Sequence, residues 1–362
     1  MTKKVSPFKI ILAILLRIVI VILIAVVLFF AWLTIVEWKP ADIEPASQIG
    51  TEFSRHYREG EGIDVLSWNI GYAALGETED FFMDGGTKVR PDSADVVRDN
   101  LSAIGSLLGS TDPDIVFFQE VDSSSKRSYK INEVEYLAGI GKRTAYYALN
   151  YSCPYVPYPF PVTLGKVNSG LLTLTNSPVD HAERYQLSLS YSWPVRMANL
   201  KRCLLVERVP VEGSDKELIL VNMHLEAYAP LEAKEMQTYL LKTICMNEYE
   251  KGNYVIAGGD WNMTFPDVDP SLYPITETDN YVAEVMDPEL CPEGWSFIFD
   301  QSVPTCRLLN KPYDKNDPNT QYYVIDGFLV SPNVNVHGVQ TLDMGFVNSD
   351  HNPVAMTVVL GE

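Results

Sequence analysis

The chain has 362 residues, 46% hydrophobic and 21% charged, which is enough apolar material for a large core and unlike a disordered or collagen-like chain. Its 28 Lys and Arg stand against 47 Asp and Glu, a balance that repels a polyanion such as duplex DNA unless a local basic patch overrides the mean. The length suits one large domain plus an anchor, or two ordinary domains.

Residues 18–36 read IVIVILIAVVLFFAWLTIV, a run of 19 without a charge, and residues 10–16 extend it across Arg17. That is enough to span a bilayer as one transmembrane helix. A cleaved signal peptide has a shorter apolar stretch and ends at small residues, whereas this one ends among bulky residues from Trp32 to Trp38. Both tryptophans fit an interfacial belt. Lys3, Lys4, Lys9 and Arg17 are the only charges before Glu37. The positive-inside rule therefore places the N-terminus in the cytoplasm and the rest outside, as a single-pass protein of the cell membrane. Residues 1–38 are expected to be a cytoplasmic tip and anchor, 39–61 a linker, and 62–362 the folded domain.

In the domain, residues 63–70 (IDVLSWNI) predict a strand closed by Gly71. Val96, Val97, Leu101, Ile104, Leu107 and Leu108 recur at helical spacing, with Gly109 as a stop signal. Residues 114–118 (DIVFF) predict a buried strand ending at Gln119 and Glu120. Residues 146–150 read as another strand. Residues 151–161 (YSCPYVPYPFP) read as a surface loop, because a core strand cannot hold so many prolines. Strands follow at 170–174, 203–209 and 217–223, then a helix at 230–249 and a strand at 254–257. A long polar excursion covers 262–300, and strands at 322–330 and 354–360 close the chain. Many short strands with few helices suggest a layered β-sandwich with helices outside. Cys153, Cys203, Cys245, Cys291 and Cys306 lack metal-finger spacing, and their odd number leaves at least one thiol unpaired. Cys291 and Cys306, close together in a proline-rich region, are the expected disulfide.

The polar residues fall at strand ends: Asn69, Glu120, His224, Asp260 with Asn262, Asp326, and Asp350 with His351. Strand ends converge on one rim, and carboxylates, amides and imidazoles gathered there suit phosphate chemistry on a hard cation. Asp260 and Asn262, two residues apart, would share one face of an extended segment. His56, His181 and His337 lie outside these motifs and carry no such expectation.

Seven stretches resemble, in order, the endonuclease/exonuclease/phosphatase superfamily of DNase I-like metal phosphoesterases. They are WNI at 68–70, QE at 119–120, SGLLTLTNSPV at 169–179, NMHLE at 222–226, GGDWN at 258–262, IDGFLVS at 325–331 and SDHNPV at 349–354. The resemblance implies an α+β fold, a four-layered α/β/β/α sandwich. It implies Mg²⁺, with Mn²⁺ or Ca²⁺ as alternatives, on Glu120, with Asn69 and Asp350 completing or supporting the site. Asp260 and Asn262 would hold the attacking water and the phosphoryl oxygen. His351, oriented by Asp326, would contact the phosphate, and His224 would stabilise developing charge. Asn150 stands where some members place a substrate contact. The acid that often orients the first histidine has three candidates, Glu133, Glu135 and Glu226. The general base is open between Asp260 and a His351–Asp326 pair.

Three functions compete. The first is hydrolysis of a lipid or small-molecule phosphoester, favoured by the acidic domain, the tether and the aromatic stretch. The second is an extracytoplasmic nuclease, which needs a basic groove from Arg127, Lys130, Lys142, Arg143, Lys166, Arg196, Lys201 and Arg202. The third, ranked last, is a tethered binding module that has lost catalysis.

Overall fold

The computed structural model describes residues 6–51 and 53–361; Lys3 and Lys4, expected to face the cytoplasm, and Glu362 lie outside the described residues. The apolar N-terminal segment forms one helix, α1 (Pro7–Ile35), with Pro7 at its first turn, where a missing N–H costs nothing. Its 29 residues rise about 43 Å, more than the roughly 30 Å of a bilayer's hydrocarbon core. Its mean hydropathy reaches 3.5 and that window is entirely unburied, so the helix is long and apolar enough to cross a membrane.

Two seven-stranded sheets make up the body. One runs, edge to edge, through Ile43–Pro45, His181–Gln186, Cys203–Pro210, Glu217–His224, Tyr254–Asp260, Asp326–Val330 and Ser296–Ile298. The other runs through Val334–Thr341, Val354–Leu360, Gly62–Asn69, Ile115–Asp122, Gly165–Thr175, Thr144–Val156 and Ser47–Ile49. Each has one parallel pair near its centre, Glu217–His224 with Tyr254–Asp260 and Gly62–Asn69 with Ile115–Asp122.

The sheets stack face to face through Val65 and Phe117 on one side and Leu220, Ile256 and Phe328 on the other. Behind the second sheet, Leu66, Val116 and Phe118 pack under α2 (Ala94–Thr111) and α3 (Glu133–Ala138). Behind the first, Ile219, Val221 and Val255 pack under Leu241 and Cys245 of α4 (Leu231–Tyr249). The result is the four-layered α/β/β/α sandwich. Central strands are covered on both faces, which is why they read as continuous apolar runs in the sequence. Between the sheets, Gln119 Nε2 donates to Asn222 Oδ1 at 2.9 Å, and Asn222 Nδ2 donates to the Phe118 and Leu172 carbonyls at 3.2 Å. These amide hydrogen bonds tie the two sheets together across the buried interface, though Gln119 Oε1 is left without a partner.

Four expectations are corrected. Residues 39–61 are no plain linker: they add an edge strand to each sheet, and Tyr57 is fully buried with its hydroxyl donating to the Asp114 carbonyl at 3.2 Å. Residues 151–156 continue the strand Thr144–Val156, whose pairing slips between Cys153 and Val156 around Pro154, as a proline within a strand requires. α2 runs past Gly109 to Thr111 and ends where Asp112 turns left-handed, at φ 45°. All five cysteines are free, and Cys291 and Cys306 form no disulfide. Cys306 instead lies buried in a short strand that bridges to His351.

One buried carboxyl group has a testable cost. Glu207 lies wholly buried on the strand Cys203–Pro210, and neither carboxylate oxygen has a hydrogen-bond partner. Burial raises its pKa well above the usual range, and Thr173 only partly opposes this. The unfolded chain ionises this group near pH 4.3. Its contribution to stability is therefore present below that pH and is lost as pH rises toward the folded-state pKa. Glu207→Met is expected to stabilise the fold by about 1–3 kcal/mol at pH 7 and by less at pH 4, as read by thermal melts at both pH values.

Candidate active site

Strand register assembles the site. In the first sheet, Asp260 pairs with His224 on one side and with Asp326 on the other, so these three residues form one row. In the second, Asn69 pairs with Gln119, and on the other side of that strand the ladder with Gly165–Thr175 breaks between Phe118 and Val121. Glu120 sits in that break at φ 56°. The bulge leaves the Glu120 carboxylate on the cavity wall. A non-glycine residue held left-handed is strained, and such strain gathers at functional sites.

The turn carrying Ser349, Asp350 and His351 is fastened to the strand Gly62–Asn69. Ser349 Oγ donates to the Asn69 carbonyl at 2.8 Å, and Trp68 Nε1 donates to the His351 carbonyl at 2.9 Å. Two motifs far apart in sequence are thus fixed as a unit.

The side chains form one network. Asp326 Oδ2 lies 2.8 Å from His351 Nδ1. Asp260 Oδ2 lies 3.3 Å from His224 Nε2 and 3.8 Å from His351 Nε2. Asn69 Nδ2 donates to Asp260 Oδ2 at 2.9 Å and reaches Glu120 Oε1 at 3.4 Å. Asp350 Oδ2 lies 3.8 Å from His351 Nε2. The backbone N–H of Asn262 donates to Asp260 Oδ1 at 2.9 Å. The sharing of one extended face by Asp260 and Asn262 is corrected: the strand ends at Asp260, and Asn262 turns left-handed at φ 52°. Both still reach the same cavity.

That cavity has a volume of about 510 Å³, within the range of small-molecule sites. Glu120, Asn150, His224, Asp260, Asn262, Asp350 and His351 all line it, while Asn69 and Asp326 stand behind. Asn150 is buried and its Nδ2 has no partner, a donor left free at the wall.

The two histidines hold opposite charge states. For His351, burial opposes the proton, but Asp326, Cys306 and Asp350 outweigh it and raise the pKa well above the ordinary value. For His224, burial lowers the pKa well below the ordinary value, and the charges of Arg202 and His351 lower it further. Burial raises Asp260 to about 6, with Asp326 adding to the shift and His351 opposing it. Burial raises Asp350 to about 7, and the nearby Glu120 adds to it.

Glu120 and Asp350 suit a hard divalent cation. The histidines His224 and His351 lie within 4.0 Å of Glu120 and Asp350 respectively, and the Glu120 charge helps to raise the Asp350 pKa. Asn69 turns its amide N–H toward Glu120 and Asp260, and its oxygen accepts from the Gly71 N–H at 3.0 Å. In that orientation it supports the carboxylates. Two other clusters, Cys306–Asp350–His351 and Asp260–Asp326–His351, bring ligand atoms within 4.8 Å of one another. Both need His351, whose Nδ1 is already committed to Asp326.

None of the three candidate acids orients His224. Glu133 accepts from the Asp122 N–H, Glu226 accepts from Ser190 Oγ and the Ala227 N–H, Glu135 is exposed, and His224 Nδ1 has no partner. Sequence reasoning set Arg127 and Arg202 aside as parts of a nucleic-acid groove. Both line the cavity, Arg127 held by Asp122 at 3.0 Å and Arg202 lying 3.6 Å from Glu226. Of the other six cations proposed for that groove none lines the cavity; Arg143 pairs with Asp112, and Arg196 and Lys201 pair with Glu37. Tyr72 and Asp84 also line the cavity, and no spacing in the sequence marks either. His56, His181 and His337 are exposed and take no part.

The model of the Endonuclease/Exonuclease/phosphatase family matches residues 66–351. No match is found among curated protein sequences. An endonuclease/exonuclease/phosphatase from Beutenbergia cavernae superposes with a TM-score of 0.58 at 18% identity, covering 84% of this chain and 72% of that one. A family protein from Leptotrichia buccalis gives 0.52 at 14% identity, covering 82% and 99%. One from Bacteroides vulgatus gives 0.50 at 15%, covering 83% and 99%. At these identities the likeness concerns the fold.

Proposed function

Since the chain belongs to the endonuclease/exonuclease/phosphatase family, we propose that it is a membrane-anchored, divalent-cation-dependent hydrolase of phosphoesters. The observation that carries this reading is the convergence of Glu120, Asp350, Asp260, His224 and His351 on one cavity. Glu120 and Asp350 would hold the cation, Mg²⁺ in the first instance, with Asn69 positioning Glu120. When bound, the cation polarises a phosphoryl oxygen and offsets its charge.

The chain's own groups supply the rest. Asp260, fixed by Asn69 and the Asn262 N–H, orients the attacking water and accepts its proton; a pKa of about 6 suits that task better than an exposed carboxylate would. His351 stays protonated through Asp326 and presents Nε2–H to the phosphoryl oxygens. His224, neutral, and Asn150, with its free Nδ2, face the same space and bind the phosphoryl group. Water's oxygen bonds to phosphorus as its proton passes to Asp260, an ester P–O bond breaks, and the departing oxygen takes up a proton from solvent. The pairing of cations found above, together with the acidic balance, weighs against the nuclease reading.

α1 is the anchor. Lys9 and Arg17 lie in its N-terminal half, which favours a cytoplasmic N-terminus and an extracytoplasmic domain.

The test is turnover of soluble chromogenic phosphomonoesters and phosphodiesters by the full chain in detergent. EDTA is expected to lower the rate by about 10³-fold or more, and added Mg²⁺ to restore it. Turnover indifferent to EDTA would contradict the reading.

A further inference from the structure

The cavity does not end at the polar network. Its wall continues over Val156, Leu164, Met197 and Leu200 to Phe30 and Leu33, which belong to α1. Leu33 is the one buried residue of that helix. The C-terminal end of α1 is docked there by specific contacts. Trp193 Nε1 donates to Thr34 Oγ1 at 3.2 Å, and Thr34 Oγ1 lies 3.1 Å from Met197 Sδ. Arg196 and Lys201 each reach Glu37 Oε1 at 3.2 Å. The ring of Phe29 meets Tyr155 edge-on at 6.2 Å. The helix that would cross the bilayer therefore forms part of the wall of the chamber that holds the site.

Loops bordering this end expose apolar side chains. Phe160 is 88% exposed, Tyr158 61% and Trp193 54%, with Val162 and Val195 alongside in sequence. Free in water, such a group is costly. Beside the exit of a membrane helix, it sits where aromatic and apolar side chains enter the headgroup region. Toward the polar end the same chamber is lined by Arg127 and Arg202, each paired with an acid, and by Asn150, whose Nδ2 has no hydrogen-bond partner.

Resting on the phosphoesterase reading, we infer that the substrate is a phospholipid or lipid phosphate of the bilayer to which α1 belongs. Its phosphoester lies at Glu120 and His351, and a hydrocarbon chain fills the apolar arm lined by Val156, Leu164, Met197, Leu200, Phe30 and Leu33. The lipid reaches the site sideways from the membrane along α1. A soluble phosphoester of the same headgroup leaves that arm empty.

The experiment places the full chain in nanodiscs of phosphatidylcholine and phosphatidylglycerol. These are doped with a phosphatidylcholine bearing a diazirine midway along one acyl chain. After illumination, adducts are mapped by peptide mass spectrometry. Adducts on Val156, Leu164, Met197 or Leu200 are the expected result. Adducts confined to the outward face of α1 overturn the inference. Ala198→Trp, which adds bulk to the wall of the arm, is expected to lower adduct yield at these positions about tenfold. An unchanged yield in a variant with the wild-type melting temperature also overturns the inference. The mapping needs no turnover. Absent adducts with intact metal-dependent turnover sink the lipid inference alone, whereas adducts without any phosphoester turnover sink the catalytic reading.

Discussion

Glu120→Gln is expected to lower turnover by about 10³-fold or more while leaving the fold intact. The substitution keeps shape and volume and removes one negative charge from the proposed cation site. Divalent-cation assistance contributes several kcal/mol to a transition state of this kind, and each 1.4 kcal/mol is tenfold in rate. Glu120 is half-buried and, among the described residues, its side chain makes one hydrogen bond, the long contact to Asn69, so a glutamine costs the fold little. Cation affinity falls with the rate. A variant that keeps more than a tenth of wild-type turnover at saturating Mg²⁺ contradicts the assignment of Glu120.

Asp326→Asn is expected to cost about 10²–10⁴-fold in turnover, comparable to His351→Ala. Asp326 Oδ2 lies 2.8 Å from His351 Nδ1, placed to accept its proton's hydrogen bond, and is a main reason that His351 stays charged despite burial. Asparagine can turn an N–H toward that nitrogen, which favours the wrong tautomer and removes the charge that keeps His351 protonated. The double variant tests whether the two act as a unit: it should be no slower than His351→Ala alone. Additive losses would mean that Asp326 acts separately, through Asp260.

Much of this site was legible in the sequence because of how layered sheets work. A strand covered on both faces must be apolar along its length, so a polar residue at its end is conspicuous. Asn69, Glu120, His224, Asp260 and Asp326 all stood out in this way, and register then set His224, Asp260 and Asp326 in one row. Other features depend on tertiary context. Ile43–Pro45 and Ser47–Ile49 are three residues each, too short for an alternating pattern to be told from a coil. The left-handed backbone at Glu120 violates local preference, so no propensity points to it. Arg127 and Arg202 look like any surface cations until Asp122 and Glu226 are seen to bury them. The apolar arm joins residues of α1, the strand Thr144–Val156 and the segment around Met197, three stretches that nothing in their spacing connects. Cys291 and Cys306 are near in sequence, but Cys306 is committed to the strand beside His351.

The account stands most directly on where the cation binds. Mn²⁺ titration followed by the loss of its free electron paramagnetic resonance signal measures this without any substrate. The expected result is a site on the wild-type chain whose affinity drops about 100-fold or more in Glu120→Gln and is kept in Cys306→Ala. Equal binding by Glu120→Gln, or binding that disappears with Cys306, would place the ion elsewhere and contradict the account.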